Sequence, residues 1–288
     1  MESRFQKIDL HMHTTVSDGT DTPKELLDNV KKAGIEFFSV TDHDAVKAGK
    51  ILLGILGKED PAFVPGIEFS CQDELGKYHI LGYGFDPDHP AIQSALRHGH
   101  DLRMSKLDKR LAFLEEKFGF VFSKEDKNSI FAVDNSGKPH IANMMVRYGY
   151  AKTKEEAILD YINKAPGKSE HIRPPEAISG ILGAGGIPIL AHPFYGSGDE
   201  LILGDEMEAR LLRLIEMGLR GVEAYYSGFT EKMRVQMCEL ATRYDLYITA
   251  GSDYHGTNKL VTLGDTGLSE ETEYPSGLCR FIDDILQK

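Results

Sequence analysis

The chain has 288 residues, of which 41% are hydrophobic and 27% are charged, and its formal net charge at pH 7 is −12. This balance is ordinary for a globular protein, but it argues against duplex DNA as a partner, because DNA binding needs a basic face that displaces counterions. No apolar stretch approaches the roughly 20 residues of a membrane span, and the N-terminal residues lack the apolar core of a signal peptide. The three cysteines have no paired spacing, so we expect a cytoplasmic protein without a disulfide framework and without a membrane partner.

Seven short apolar segments are predicted to be β-strands, and most of them are separated by helical patterns. Near-continuous apolar strands that alternate with helices are typical of parallel sheets that are buried on both faces. The chain is therefore predicted to be an α/β protein. The predicted strands are Lys7–Leu10, Phe37–Val40, Phe63–Ile67, His79–Tyr83, Ile187–Ala191, Gly221–Tyr225 and Tyr247–Ala250.

The helical patterns between these strands have apolar residues about 3.6 positions apart. At the start of the first pattern, Thr22 suits the cap and Pro23 the first helical residue, and Gly34 suits the end. The helices predicted to alternate with the strands are Pro23–Ala33, Ala45–Leu56, Pro174–Ala184, Asp205–Met217 and Thr230–Tyr244.

Residues 89–172 interrupt this alternation, because the stretch is longer than a strand-to-helix connection and has helical patterns of its own. The patterns predict helices over Leu102–Phe118, Ile141–Tyr148 and Lys154–Ile162. We therefore predict a small helical insertion domain over residues 89–172 and a main domain made of residues 1–88 and 173–288.

Histidines and carboxylates lie close to the ends of the predicted strands. His11 and His13 face the same side of an extended strand, because side-chain direction repeats every two residues. In barrels of parallel strands, functional residues gather at the C-terminal strand ends. His79 lies at the start of its segment instead, which leaves open an earlier strand boundary or a reversed strand. The candidate metal ligands are His11, His13, Asp18, His43, Glu68, His79, His192, Asp253 and His255.

Imidazoles and carboxylates together suit zinc, manganese and iron, and nine such ligands suffice for two or three divalent ions. A single His-x-His pair arises readily by chance, and most isolated histidines are surface or core residues with an ordinary hydrogen bond. Six of the eleven histidines, however, fall at predicted strand ends. A site with several divalent ions activates water and neutralises phosphoryl charge, so the pattern predicts a metal-dependent phosphoesterase.

Residues beside the candidate ligands have two interpretations each. Asp42 and Asp44 could orient ligand imidazoles, and Asp44 could equally cap the helix that follows it. The aromatic pair Tyr225 and Tyr226 could stack on a base, although simple packing is the more economical interpretation.

Six motifs, in order from the start of the chain to Gly256, resemble those of the PHP (polymerase and histidinol phosphatase) family. They are Leu-His-Met-His-Thr-Thr-Val-Ser-Asp-Gly-Thr, Thr-Asp-His-Asp, Pro-Gly-Ile-Glu, His-Ile-Leu-Gly-Tyr, Ala-His-Pro and Gly-Ser-Asp-Tyr-His-Gly. The resemblance implies a distorted (β/α)7 barrel, which agrees with the seven predicted strands. It also implies a site for three metals and hydrolysis by a hydroxide that bridges two of them.

By this resemblance, three sets of residues bind the metals, for which Mn²⁺, Zn²⁺ or Fe²⁺ are expected. The first set is His11, His13, Glu68 and Asp253. The second set is Glu68, His79 and His192, and the third is Asp18, His43 and His255. Four of these ligands are also predicted to be catalytic residues, namely Asp18, His43, Glu68 and Asp253.

The insertion resembles that of the family branch that hydrolyses nucleoside 3′,5′-bisphosphates and shortens RNA from its 5′ end. That branch often has Arg-Pro-His-Ile-Ala at a point where this chain has Lys-Pro-His-Ile-Ala, and lysine keeps the charge but loses the bidentate geometry of arginine. The resemblance to this branch implies that the partner is a small phosphorylated nucleotide or a short RNA. The residues predicted to hold its distal phosphate are Lys138, His140, Lys168 and Arg173.

Three other functions share part of this pattern. Histidinol-phosphate phosphatases have the same metal chemistry, but they lack this kind of helical insertion. A non-catalytic PHP module that supports a polymerase would not need a complete set of ligands. A zinc-storage protein would not need bridging carboxylates with an open coordination position.

Overall fold

A computed structural model of the chain describes residues 5–132, 136–166, 171–196, 201–269 and 273–287. The contacts between residues divide the chain into two compact units. The first unit consists of residues 1–96 and 173–288, and the second of residues 97–172.

In the described part of the first unit, seven strands form one sheet in which strands that follow each other in the chain are neighbours. The first and last strands are joined by hydrogen bonds from Leu10 N to Ala250 O (2.9 Å) and from Asp253 N to His11 O (2.8 Å). The sheet therefore curls into a nearly closed barrel, which confirms the predicted fold class. The strands are β1 Ile8–Asp9, β2 Phe37–Val40, β3 Ala62–Gln72, β4 Lys77–Tyr83, β5 Ile187–Leu190, β6 Gly221–Tyr226 and β7 Tyr247–Gly251.

Strand β4 runs antiparallel to both of its neighbours, whereas the other described strand pairs are parallel. Both alternatives for His79 are therefore correct, since the strand is reversed and also begins two residues earlier, at Lys77. Because β4 is reversed, its first residues lie on the rim where the parallel strands end. His79 pairs with Ser70, two residues beyond Glu68 on β3.

The predicted helices are all present, with ends that differ by a few residues except at the start of α3. Proline at the first position starts that helix at residue 90, twelve residues before the predicted start at residue 102. Helices α4 and α10 were not predicted. The helices are α1 Pro23–Lys32, α2 Lys47–Ile55, α3 Pro90–Phe118, α4 Lys124–Phe131, α5 Lys138–Arg147, α6 Lys154–Glu156, α7 Pro174–Gly183, α8 Gly204–Glu216, α9 Glu231–Arg243 and α10 Ser276–Leu286.

Helices cover the outside of the barrel, so that its strands are buried on both faces. All four residues of β2 are buried, and Phe38 and Val40 pack with Leu26 of α1 and Leu52 of α2. Helix α10 packs on β7, and its Phe281 contacts the ring of Tyr83. The start of α1 is set by a capping box, in which Glu25 N donates to Thr22 Oγ1 (3.3 Å) and Thr22 N donates to Glu25 Oε2 (2.8 Å).

The second unit has a hydrophobic core of its own, built from α3, α4, α5 and the segment that follows them. Helix α6 continues as a π-helical turn, Ala157–Tyr161, and a 3₁₀ turn, Ile162–Lys164. Aromatic rings pack around this core, and those of Phe120 and Tyr150 are stacked with their centroids 4.4 Å apart. Its buried residues are Leu107, Leu111, Leu114, Phe122, Ile130, Ile141, Ala142, Met144, Met145, Ala151, Ala157 and Ile162.

Among the described residues, no helix has the length and apolar character needed to pass through a bilayer. The three cysteines, Cys71, Cys238 and Cys279, are free thiols.

Candidate metal centre

The rim where the parallel strands end and β4 begins brings together all nine predicted ligands. Each ligand has a nitrogen or oxygen donor atom within 3.8 Å of a donor atom of another ligand. The cluster lies beside a cavity of about 620 Å³. Residues that are up to 244 positions apart in the chain thus form one site, because each strand delivers its side chains to the same rim.

The most buried part of the cluster consists of His11, His13, Glu68 and Asp253. Nε2 of His11 and Nε2 of His13 both lie 3.3 Å from Glu68 Oε2, and they lie 3.6 Å and 3.3 Å from Asp253 Oδ1. Four ligands placed about 2.1 Å from a tetrahedral ion would be about 3.4 Å apart. The observed separations therefore fit a small divalent cation at this point.

Glu68 directs its two oxygens to different parts of the cluster. Oε2 faces His11 and His13, whereas Oε1 lies 2.8 Å from His79 Nδ1 and 3.2 Å from His192 Nε2. A carboxylate in this position can bridge two cations. His43 Nδ1 also lies 3.1 Å from Oε2, so His43 contacts the centre of the cluster as well as its third set.

The third predicted set lies at the open side of the cluster. Oδ1 of Asp18 is 3.3 Å from His255 Nε2, and Oδ2 is 3.8 Å from His43 Nε2. His13 joins this set, since its Nδ1 lies 3.7 Å from Asp18 Oδ1. The side chain of Asp18 is 55% exposed, which makes it accessible from the cavity.

Hydrogen bonds behind the cluster fix the tautomers of three imidazoles. Nδ1 of His11 contacts Glu223 Oε1 (2.9 Å), Nδ1 of His192 contacts the carbonyl of Tyr195 (3.2 Å) and Nδ1 of His255 contacts the carbonyl of Asp253 (2.9 Å). Carboxylate and carbonyl oxygens only accept here, so each Nδ1 carries the proton. The Nε2 lone pair of each ring is therefore available to the cluster.

Glu223 is a functional residue that the sequence analysis missed. It is fully buried on β6, where it accepts hydrogen bonds from the His11 ring and from His192 N (2.8 Å). A β-bulge between Glu223 and Tyr225 allows Glu223 and Tyr226 to face the same interior side, three positions apart. The sequence signal for Glu223 was its charge within a predicted strand that is otherwise apolar.

Tyr226 packs and also donates a hydrogen bond to the cluster. Its hydroxyl donates to Asp253 Oδ2 (2.9 Å), on the side of that carboxylate away from Oδ1. Lys259, which was also missed, donates to the same Oδ2. Asp253 is thus held on one oxygen while the other faces the histidines.

Asp42 and Asp44 have different roles. Asp42 accepts hydrogen bonds from Thr14 N and Thr14 Oγ1 (both 2.7 Å) and from Ser17 Oγ (2.6 Å), and Ser17 Oγ lies 3.4 Å from His13 Nδ1. Asp42 therefore supports His13 through Ser17. The capping alternative for Asp44 is wrong, because α2 begins at Lys47 and the Asp44 carboxylate accepts from Ser70 N (3.0 Å) instead.

The backbone at the rim is strained at two ligands. His192 has φ of 28° and Asp253 has φ of 59°, a region that residues other than glycine seldom occupy. Beside them, Gly251 has no room for a side chain, since a Cβ atom there would collide with His11 and Glu223. Such strain is typical of residues that are held in place for function.

The chemistry of the cluster fits bound cations. Nε2 of His11, Nε2 of His13 and Oε2 of Glu68 are buried without a hydrogen bond, although buried polar atoms are normally satisfied. Burial opposes charge on His13, but Asp253 and Glu68 outweigh it and raise the pKa of His13 to about 10. Burial also opposes charge on Glu68, but His79, His43 and His11 hold its pKa well below the ordinary value. Protons on imidazoles thus balance the carboxylates wherever cations do not.

Three of the four predicted phosphate-binding residues have described partners of their own. Lys138 Nζ donates to Asn163 Oδ1 (2.6 Å), and Arg173 pairs with Glu74 beyond the end of β3 (3.2 Å). His140 Nδ1 accepts from Gly137 N (3.1 Å) at the start of α5, and burial lowers the pKa of His140. Lys168 lies outside the described residues. Their substrate-binding role stays a prediction.

Comparison with known proteins agrees with the chemistry of the site. Residues 9–120 match the PHP domain family. The chain is 29% identical to a 5′-3′ exoribonuclease of Haemophilus influenzae over 90% of this chain and 93% of that protein. It is 30% identical to a phosphoribosyl 1,2-cyclic phosphate 1,2-diphosphodiesterase of Eggerthella lenta, over 86% of this chain and 94% of that protein.

Two further similarities cover nearly the same range. A 3′,5′-nucleoside bisphosphate phosphatase of Chromobacterium violaceum is 27% identical over 86% of this chain and 87% of its own length. A crystal structure from Bifidobacterium adolescentis, described as that of a metal-dependent phosphoesterase, superposes with a TM-score of 0.74 and 27% identity. That superposition covers 97% of this chain and 95% of the other.

Proposed function

Because the chain belongs to the PHP family of metal-dependent phosphoesterases, we propose that it hydrolyses small phosphorylated nucleotides such as nucleoside 3′,5′-bisphosphates. The observation that carries the proposal is the convergence of buried, unsatisfied donor atoms on one point. His11 Nε2, His13 Nε2 and Glu68 Oε2 have no hydrogen bond and lie at separations that suit a divalent ion.

Two or three divalent ions, with Mn²⁺, Zn²⁺ or Fe²⁺ as candidates, would be held by the nine residues of the cluster. When bound, such ions would lower the pKa of water and neutralise charge on the phosphoryl oxygens. Glu68 is placed to bridge, and Glu223 keeps the His11 lone pair directed at the cluster. Asp18 and His43 face the open side, and with Glu68 and Asp253 they are the proposed catalytic residues.

The expected substrate class draws on the relatives. Their names specify a nucleoside bisphosphate, an RNA chain and a phosphoribosyl cyclic phosphate. A phosphate on a ribose is common to all three, and this supports a ribose phosphate as the substrate here. The 5′ end of a short RNA carries the same group, so RNA is the second substrate of the proposal.

The test is release of inorganic phosphate from adenosine 3′,5′-bisphosphate in the presence of Mn²⁺. The variant His13→Ala should lose activity by more than about 100-fold while it stays folded, because ligand loss costs more than the 10- to 100-fold typical of residues behind the ligands. His100→Ala changes an exposed histidine of α3 and should keep full activity. Undiminished turnover by a folded His13→Ala protein would refute the proposal. Histidinol phosphate should be the poorer substrate, and a strong preference for it would favour the histidinol-phosphate alternative.

A further inference from the structure

Lys259 brings an ammonium group to the edge of the candidate metal centre. It follows a 3₁₀ turn, Gly256–Asn258, after β7, and its ammonium donates to Asp253 Oδ2 and to Tyr226 Oη (3.1 Å). Its side chain is 36% exposed. Among the described residues that line the cavity, Lys259 alone is a lysine or arginine.

Orientation of Asp253 does not account for this lysine. The Tyr226 hydroxyl already donates to Asp253 Oδ2 at 2.9 Å. The backbone of Asp253, in the segment after β7, is held by the hydrogen bond from Asp253 N to His11 O at 2.8 Å. One donor suffices to fix the carboxylate, and a neutral one does so without adding charge. The ammonium therefore needs a further explanation.

Electrostatics give that explanation. An ammonium beside a site that collects divalent cations is repelled by them, and the repulsion is strong where water is partly excluded. A bound anion reverses the balance, because it attracts both the cations and the lysine. Lysine is a compact charge with three rotatable donors, so one N–H can turn to a new oxygen while the others keep Asp253 and Tyr226.

We propose that Lys259 is a substrate-binding residue that contacts a non-bridging oxygen of a terminal phosphate and so favours phosphate monoesters over diesters. The inference rests on the proposed function. A monoester has three non-bridging oxygens and carries up to two negative charges, whereas a diester has two such oxygens and one charge. A cationic contact at the cavity edge therefore stabilises the monoester more.

The experiment compares Lys259→Ala and Lys259→Arg with the wild-type protein, all loaded with Mn²⁺. Inorganic phosphate binding is measured by calorimetry, and metal content by mass spectrometry. We expect Lys259→Ala to weaken phosphate binding by about 10- to 100-fold, as loss of a charge-assisted hydrogen bond does, with unchanged metal content. Lys259→Arg should restore part of the affinity. Lys232→Ala, a change of an exposed lysine on α9, is the matched control and should bind phosphate normally.

The same variants are assayed with p-nitrophenyl phosphate and bis(p-nitrophenyl) phosphate. In Lys259→Ala, kcat/KM for the monoester should fall about tenfold more than for the diester. The inference would be overturned if Lys259→Ala bound phosphate as tightly as the wild type does. It would also be overturned if the variant lost metal, because that result would mean that Lys259 only positions the ligand Asp253. If the wild-type protein releases no phosphate from adenosine 3′,5′-bisphosphate, the proposed function fails, and the phosphate titration still decides the role of Lys259.

Discussion

The two oxygens of Glu223 accept hydrogen bonds from two different donors, the His11 ring and the His192 backbone amide. Both partners belong to predicted metal ligands, and His192 is held at φ of 28°, where few side chains are found. Glu223 therefore fixes the His11 tautomer and a strained backbone at once. Glu223 thus affects the geometry of the site, because it orients the His11 ring and the His192 backbone.

Replacing Glu223 by Gln should weaken metal binding by about 10- to 100-fold. An amide has one accepting oxygen and one donating nitrogen, so it cannot satisfy both N–H groups. The measurement is titration with Mn²⁺ or Zn²⁺ against a competing chelator. Glu239→Gln, on the exterior helix α9, serves as the control. Equal affinities in all three proteins would mean that Glu223 has no role in binding metal.

Metal uptake should release protons at pH 7. Because the pKa of His13 is raised to about 10, its ring is protonated in the metal-free protein, and a cation must displace that proton. The affinity for the cation should thus rise with pH, by about tenfold per pH unit for each proton displaced, until the pH nears the pKa of His13. Calorimetry in two buffers of different ionisation enthalpy measures the protons released. The same heat in both buffers would contradict the prediction, and His13→Gln should release fewer protons than the wild type.

The nine predicted ligands lie in one cluster, and the sequence pointed to them because histidine and aspartate at strand ends are conspicuous against apolar strands; that they bind metal stays a prediction. It did not predict Glu223, Tyr226 or Lys259 as parts of the site. Strict alternation places Glu223 and Tyr225 on one face, and only the bulge brings Tyr226 inside. Lys259 follows a turn whose path no periodic pattern specifies.

At the scale of elements, α10 carries a signal that the sequence analysis did not use. Leu278, Phe281, Ile282 and Ile285 recur at helical spacing, and all four are buried. The length and direction of elements were harder to predict. The reversal of β4 depends on a tight connection between Gln72 and Lys77, and a short apolar strand looks the same in either direction.

Phe281→Ala should destabilise the protein by about 3–5 kcal/mol, the usual cost of removing a buried aromatic ring. Phe281 is fully buried and contacts the Tyr83 ring with centroids 5.3 Å apart. Chemical denaturation of the wild type and the variant measures the free energy of unfolding. Leu53→Ala, at a side chain of α2 that is 52% exposed, should change it by less than about 1 kcal/mol. A similar small change for Phe281→Ala would show that α10 contributes little to the barrel.

At the scale of the whole molecule, the site and the barrel depend on each other. The predicted ligands lie on β3 and β4 and in the segments that follow β1, β2, β5 and β7, so a bound cation would link distant parts of the chain. Without cations, Glu68 and Asp253 are buried close together and rely on protonated imidazoles. Cation binding should therefore stabilise the fold as well as prepare it for catalysis.

Removal of metal by a chelator should lower the melting temperature, and Mn²⁺ should restore it. Ligand present at 100 times its dissociation constant stabilises a protein by about 2.7 kcal/mol. Thermal unfolding with EDTA and with Mn²⁺ gives the comparison. His13→Ala should respond much less to Mn²⁺, and a wild-type protein with one melting temperature under both conditions would contradict the prediction.

The hydrogen bond from Asp253 N to His11 O joins the first strand segment to the last one of the barrel. During synthesis, His11 and His13 leave the ribosome about 240 residues ahead of Asp253 and His255. A growing chain therefore lacks Asp253, one of the four residues in the most buried part of the cluster, until translation is almost finished. We therefore expect metal binding to be a late event in the biogenesis of this protein, and truncated products should carry no tightly held ion.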